Sequence, residues 1–168
     1  MQLVEIDKKR YRKHLNIVIA LCITALVVGS LGIAQTLIAL YPSAQGTHFH
    51  WNLLGVIVTA IGIGLVLKHY KLHPFMTEVV YVWELKKVLN IITRKMKSIK
   101  AEAEQGNLKA LLALQFSYSG SRQLWTLDDN TILMDELAVE QAKLNVLLEQ
   151  FSLTLDLAQF TKDDLQVF

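Results

Sequence analysis

No Asp, Glu, Lys or Arg occurs between Lys13 and Lys68, a gap of 54 residues in a chain of 168. Because the hydrocarbon core of a bilayer needs about 20 apolar residues per helical crossing, a gap of this length accommodates two crossings and a turn. The sequence predicts membrane spans at about residues 15–40 and 51–67, with a short loop at 41–50. The proline, serine and glycine in that loop are typical of a chain reversal.

The spans divide the chain into three parts. Residues 1–14 form a basic flank, residues 15–73 the helical hairpin, and residues 74–168 a segment with the composition of a soluble helical domain. The predicted fold class is therefore all-α: a two-span transmembrane hairpin followed by a helical tail of about three helices. The single cysteine, Cys22, excludes a disulfide within the chain and a paired-cysteine motif.

Charge is distributed unevenly along the chain. Residues 1–100 carry 13 Lys or Arg and 4 Asp or Glu, whereas residues 101–168 carry 4 and 11. Five basic residues precede the first span, Lys68 and Lys71 follow the second, and the loop has none. The positive-inside rule then predicts that both termini are cytoplasmic.

Two alternatives concern the spans themselves. A cleaved signal peptide is rejected because the first apolar run is far longer than the usual 7–15 residues, and no good cleavage site follows. Small residues four apart allow close helix packing, either within the hairpin or in a homo-oligomer. These pairs are Ala25 with Gly29, Ser30 with Ala34, and Ala60 with Gly64.

The tail shows three helical patterns. The first begins near Thr77, a predicted N-cap, and extends to about residue 104. The second covers about Leu108 to Leu127, with a kink predicted in its least periodic stretch, residues 117–122. The third runs from about Ile132 to Gln150 and is predicted to be capped by residues 128–131. Beyond it, alternating leucines at 153, 155 and 157 predict an extended piece or a short strand, and residues 161–164 a weak cap for a final turn.

The first tail helix carries an apolar seam with intervals of three and four residues. This pattern suits a coiled coil or a bundle helix, buried against the other tail helices or a second copy. Its residues are Val82, Leu85, Leu89, Ile92, Met96 and Ile99.

Basic residues punctuate the same helix and have two interpretations. They could contact anionic lipid headgroups, or they could pair with the acidic residues of the tail. Nucleic-acid binding is disfavoured because no recognised motif is present. The residues are Lys86, Lys87, Arg94, Lys95, Lys97 and Lys100, and their predicted acidic partners are Asp128, Asp129, Asp135, Glu136 and Glu140.

No pattern in the chain predicts an enzyme, and no catalytic, cofactor-binding or metal-ligating residue is proposed. His48 and His50 form the one concentrated histidine motif, but a metal site needs more ligands than this loop supplies. Interfacial side chains are the simpler interpretation. The acidic residues around Asp128 and Asp135 are explained by helix capping.

Four segments together resemble an uncharacterised family of small inner-membrane proteins of gammaproteobacteria. They are EIDKKRYRKHLN at 5–16, HFHWNLLG at 48–55, HPFMTEVVYVWELK at 73–86 and LWTLDDNT at 124–131. The resemblance covers essentially the whole chain and implies a bacterial host. It brings no known activity.

Two function classes remain. The first is a non-enzymatic membrane protein whose helical tail docks partners or self-associates, as a scaffold or accessory module. The second is an oligomeric pore or permeability effector. The spans contain no Asp, Glu, Lys or Arg, which disfavours ion or proton transport through charged residues.

Overall fold

The computed structural model describes residues 1–42 and 47–168, and every regular element in these two ranges is helical. The all-α prediction is confirmed. The five α-helices are α1 (Lys8–Leu40), α2 (Phe49–His69), α3 (Thr77–Glu104), α4 (Leu108–Leu127) and α5 (Met134–Gln150). Short 3₁₀ helices cover Tyr70–Leu72, Pro74–Met76, Leu157–Gln159 and Lys162–Val167.

The chain divides into two compact units. One contains Lys9–Val80, which is most of α1, all of α2 and the first turn of α3. The other contains Met1–Lys8 and Tyr81–Phe168, and it is called the tail unit below.

The tail unit has an apolar core to which α3, α4, α5 and the C-terminal segment contribute. The seam of α3 is buried as predicted, apart from a partly buried Met96, and all of its residues except Val82 contribute to this core. The Phe116 and Phe160 rings stack with their centroids 4.1 Å apart, so the C-terminal segment packs against α4. The leucines at 153, 155 and 157 also pack against this core. They form no strand: residues 153–156 lie outside any regular element, and Leu157 begins a 3₁₀ helix.

Helix α4 is continuous through residues 117–122, where a kink was predicted. Its apolar periodicity is weak there because Ser117, Tyr118 and Gly120 are all buried. A Cβ at Gly120 would lie 3.1 Å from the Leu85 side chain and 3.2 Å from that of Leu89. The small residues therefore mark the place where α3 approaches α4, and they do not break the helix.

Two predicted helix caps are wrong. Residues 128–131 do not cap α5, which starts at Met134 without a side-chain cap. They close α4 instead: Asp129 adopts a positive φ of 56°, and the Asn130 amide donates to the Trp125 carbonyl at 2.9 Å. This is a Schellman ending, which satisfies the last carbonyls of a helix.

The other incorrect cap is Thr77. Its backbone is already helical, and its hydroxyl donates to the Pro74 carbonyl at 3.0 Å, so it does not accept from the helix. The capping side chain in this region is His73, whose Nδ1 accepts from the Phe75 amide at 3.1 Å. By contrast, Thr161 and Asp164 form a complete capping box at the final turn, as predicted.

Candidate functional site

Helices α1 and α2 are long and apolar enough to cross a membrane, by their length and composition. Only 6% of the most apolar window of each is buried within the fold. The core helix of a soluble protein would be mostly buried, because burial of apolar surface is the main driving force for folding. These two helices therefore present an apolar surface that the rest of the chain leaves uncovered.

Small residues mediate the contact between α1 and α2. A Cβ at Gly55 would lie 2.5 Å from the Ser30 carbonyl and 3.2 Å from the Ala34 amide. A Cβ at Gly29 would lie 2.7 Å from the Thr59 methyl, and the Thr59 hydroxyl donates to the Gly55 carbonyl at 2.8 Å. Three members of the predicted small-residue pairs thus pack within the chain. Gly64, from the third predicted pair, does not share this contact: a Cβ added there would have nothing within 4 Å.

A cavity of about 720 Å³ lies between the same two helices. Its walls are almost entirely apolar, with aromatic and histidine side chains where α2 is followed by the 3₁₀ turns. Representative lining residues are Cys22, Gly29, Thr59, Gly62, His73 and Phe75.

Beside the N-terminal turns of α1, the carboxylate of Glu78 is buried and paired. The residue is 8% exposed, and its oxygens lie 2.8 Å from Nε of Arg10 and 3.3 Å from Nδ1 of His14. The His14 ring stacks on Phe75 with a centroid separation of 4.1 Å. Glu78 is also in the first turn of α3, where a negative charge interacts favourably with the helix dipole. The cluster joins the first two turns of α1 to the first turn of α3, which follows α2 in the chain.

No local sequence pattern predicts this cluster, because Arg10 and His14 each lie 64 or more positions from Glu78. A signal was nevertheless present. Glu78 is the first acidic residue after the charge-free gap, and basic residues flank that gap on both sides.

The loop histidines do not form a metal site in the described residues. His50 lies against Trp51, with ring centroids 4.6 Å apart, and Trp51 stacks on Tyr41 at 5.6 Å. In residues 1–42 and 47–168, no three His, Cys, Asp or Glu side chains are grouped so that they could hold a metal ion. The predicted turn at Ser43 and Gly46 lies outside the described residues.

Several basic residues of α3 pair with the tail. Lys86 lies 2.9 Å from the carboxylate of Asp128, Lys100 pairs with Glu140, and Lys95 donates to the Leu165 carbonyl at 2.7 Å. Arg94 and Lys97 are exposed. Of the two interpretations of this helix, the geometry supports internal pairing for Lys86 and Lys100.

Glu140 is the centre of a polar network between α3, α4 and α5. Hydrogen bonds from Lys100 and Lys143 lower the pKa of Glu140 to about 2. Burial, with the negative charge of Glu140 nearby, raises the pKa of Tyr118 to about 12. Both groups keep their usual charge states over a wide pH range, so this network is suited to holding three helices together and not to proton transfer.

The N-terminal residues join the tail unit through a second network. The Val4 amide donates to the Tyr81 hydroxyl at 2.9 Å, Tyr81 donates to Gln123 at 2.9 Å, and Gln123 donates back to the Val4 carbonyl. Lys8 also pairs with Asp129. These contacts place the start of the chain on α3 and α4.

The chain belongs to the family described as protein of unknown function (DUF3087), which matches residues 1–165. The predicted membership of an uncharacterised family is confirmed. Comparison with curated proteins gave no match, and comparison with solved structures gave none.

Proposed function

We propose that this member of DUF3087 is a non-enzymatic integral membrane protein, in which a two-span hairpin anchors a helical interaction or scaffold module. The observation that carries the proposal is the uncovered apolar surface of α1 and α2, where 6% of each apolar window is buried. In water such a surface would promote aggregation. In a bilayer it is solvated by lipid.

The proposed topology is a hairpin with both flanks on the same side. It is supported by the ion pair between Arg10, which precedes the first span, and Glu78, which follows the second. Two residues in contact must lie on the same side of a membrane that both helices cross. The basic flanks and the uncharged loop then favour the cytoplasmic side of a bacterial inner membrane.

The tail unit is the proposed interaction body. Two features support this role. The unit has a packed apolar core, and its surface carries ion pairs such as that of Lys86 with Asp128. Anionic headgroups are a further proposed contact for Arg94 and Lys97, which the internal pairs leave exposed. The alternative, an oligomeric pore, has less support, because neither span contains an Asp, Glu, Lys or Arg that could line it.

Fractionation of cells that express the full chain tests the anchor. We expect the protein to stay in the membrane pellet after an alkaline carbonate wash and to be released by detergent. Release by carbonate alone would contradict the proposal. A reporter fused after Phe168 tests the orientation: we expect activity as a cytoplasmic enzyme and none as a periplasmic one, and the reverse result would overturn the topology.

A further inference from the structure

The outer face of α5 carries an apolar stripe with a period of seven residues. Ile132, just before the helix, is 87% exposed, Val139 is 56% exposed and Val146 is 61% exposed. At about 100° per residue, Val139 and Val146 lie almost opposite the buried Leu137 and Leu144. The helix therefore has two apolar sides, and only one of them packs within the chain.

We propose that this stripe is the surface through which a second copy of the chain binds, by antiparallel pairing of the two α5 helices across a two-fold axis at Val139. The inference rests on the proposed function, because it assigns the partner of the tail unit. The α3 seam cannot serve this purpose, since it is already buried in the tail core.

Charge complementarity indicates that the partner is a second copy and that the two α5 helices run antiparallel. In an antiparallel pair centred on Val139, a residue four positions after the centre meets the residue four positions before it. Lys143 of each copy then lies beside Asp135 of the other, and the pairing occurs twice. A parallel pair would bring Asp135 next to Asp135 and Glu149 next to Glu149, and like charges at these positions repel.

Both charged groups are accessible for this contact. The Lys143 side chain is 68% exposed although its ammonium group lies 2.7 Å from Glu140, and Asp135 is exposed. An ammonium group has three donor hydrogens, so one carboxylate does not exhaust it. Ala142 on the same side is small and exposed, which permits close approach of the second helix.

The length of the surface indicates a weak interaction that depends on the anchor. The 17 residues of α5 span roughly 25 Å at about 1.5 Å per residue, and the stripe has only three large apolar side chains. Tethering in one membrane raises the effective concentration of one copy around another, so a contact too weak for dilute solution can be occupied.

Cysteine cross-linking in native membranes tests the pairing, in the full chain with Cys22→Ala. With a mild oxidant added to couple the thiols, we expect Val139→Cys to give a disulfide-linked dimer in at least fivefold higher yield than Lys97→Cys, a matched exposed position on α3. If the protein pellets with membranes but the two yields are equal, the surface is wrong while the anchor stands. If the protein is found in the soluble fraction, the proposed function itself fails.

Mixed chains test the direction. When chains with Ile132→Cys and Val146→Cys are co-expressed with different tags, we expect the cross-linked product to contain one of each. Products that contain two Ile132→Cys chains in larger amount would overturn the antiparallel register.

Charge exchange tests the proposed ion pairs. In the Val139→Cys background, Asp135→Lys should lower the dimer yield at least threefold, and adding Lys143→Glu should restore it. Because Lys143 also pairs with Glu140, Lys143→Glu alone is the control that loses the same internal pair: its dimer yield should be low, and adding Asp135→Lys should raise it. A yield that the double exchange does not restore would contradict the pairing.

Discussion

The helix pair α1–α2 and the tail unit use the same kinds of apolar residue in opposite ways. In α3 and α4, leucine, isoleucine and valine side chains are buried against one another, whereas in α1 and α2 most of them are exposed. Both regions are built from α-helices, so the type of secondary structure does not distinguish them. The comparison teaches that the environment each helix requires is read from the pattern of charge: basic and acidic residues interrupt α3 every few positions, and none interrupts residues 14–67.

The largest expected effect is a charge introduced into the tail core. Leu89→Asp would place a carboxylate among buried side chains of α3 and α4, where desolvation is costly. We expect a loss of about 3–5 kcal/mol in the free energy of unfolding of the tail, as for other severe core substitutions. Thermal melting of the full chain in detergent, followed by circular dichroism, would measure it.

Leu108→Asp is the matched control. Leu108 is exposed and is the first residue of α4, where a carboxylate is favoured by the helix dipole. Equal melting temperatures for the two variants would show that the tail has no core of the kind described.

A smaller effect is expected in the helix pair. Gly55→Ala adds a methyl group 2.5 Å from the Ser30 carbonyl, which must force α1 and α2 apart. Overpacking of this kind typically costs about 1–3 kcal/mol. Gly64→Ala on the same helix meets nothing within 4 Å and should be neutral or slightly stabilising. Melting in detergent distinguishes the two, and a Gly55→Ala protein as stable as Gly64→Ala would contradict the contact.

The smallest expected effect is the pH dependence of the tail. The pKa of Glu140 is lowered from 4.5 to about 2 in the fold, so the folded state binds the proton less readily than the unfolded state. The stabilisation that ionised Glu140 gives to the folded tail is therefore complete above about pH 4.5, and it is lost as the pH falls towards 2. Since water screens partly exposed ion pairs, we expect the free energy of unfolding to fall by at most about 1 kcal/mol over this pH range. Acid titration of the parent and of Glu140→Gln should show a shallower loss of stability in the variant, and identical curves would contradict this role.

Local patterns in the sequence predicted much of the helical structure. Residues 77–104 and 108–127 form helices with the predicted bounds, because apolar periodicity and the Gly106–Asn107 break define them. Gly106 has a φ of +81° and closes α3, and the side chain of Asn107 accepts from the Lys109 amide to start α4. These signals lie within a few residues of the structure they specify.

Long-range polar contacts were not predictable from one sequence. The Asp128–Asp129 pair looks like a helix start, but it lies at the end of α4, where Lys86 and Lys8 offset the unfavourable negative charge at a helix C-terminus. The contact of Val4 with Tyr81 joins positions 77 residues apart, and no local pattern encodes it. The polar pairs that organise the candidate site depend on the fold and not on spacing.

The measurement that tests the central claim most directly compares two valines with equal exposure in the fold. Val28 in α1 and Val167 near the C-terminus are each 66% exposed. In the Cys22→Ala chain, Val28→Cys and Val167→Cys would be treated with a water-soluble maleimide in permeabilised native membranes. If lipid covers α1, Val167→Cys should react at least tenfold faster, and both should react fully after denaturation. Equal rates in the membrane preparation would show that water reaches α1, and would contradict the membrane-spanning account.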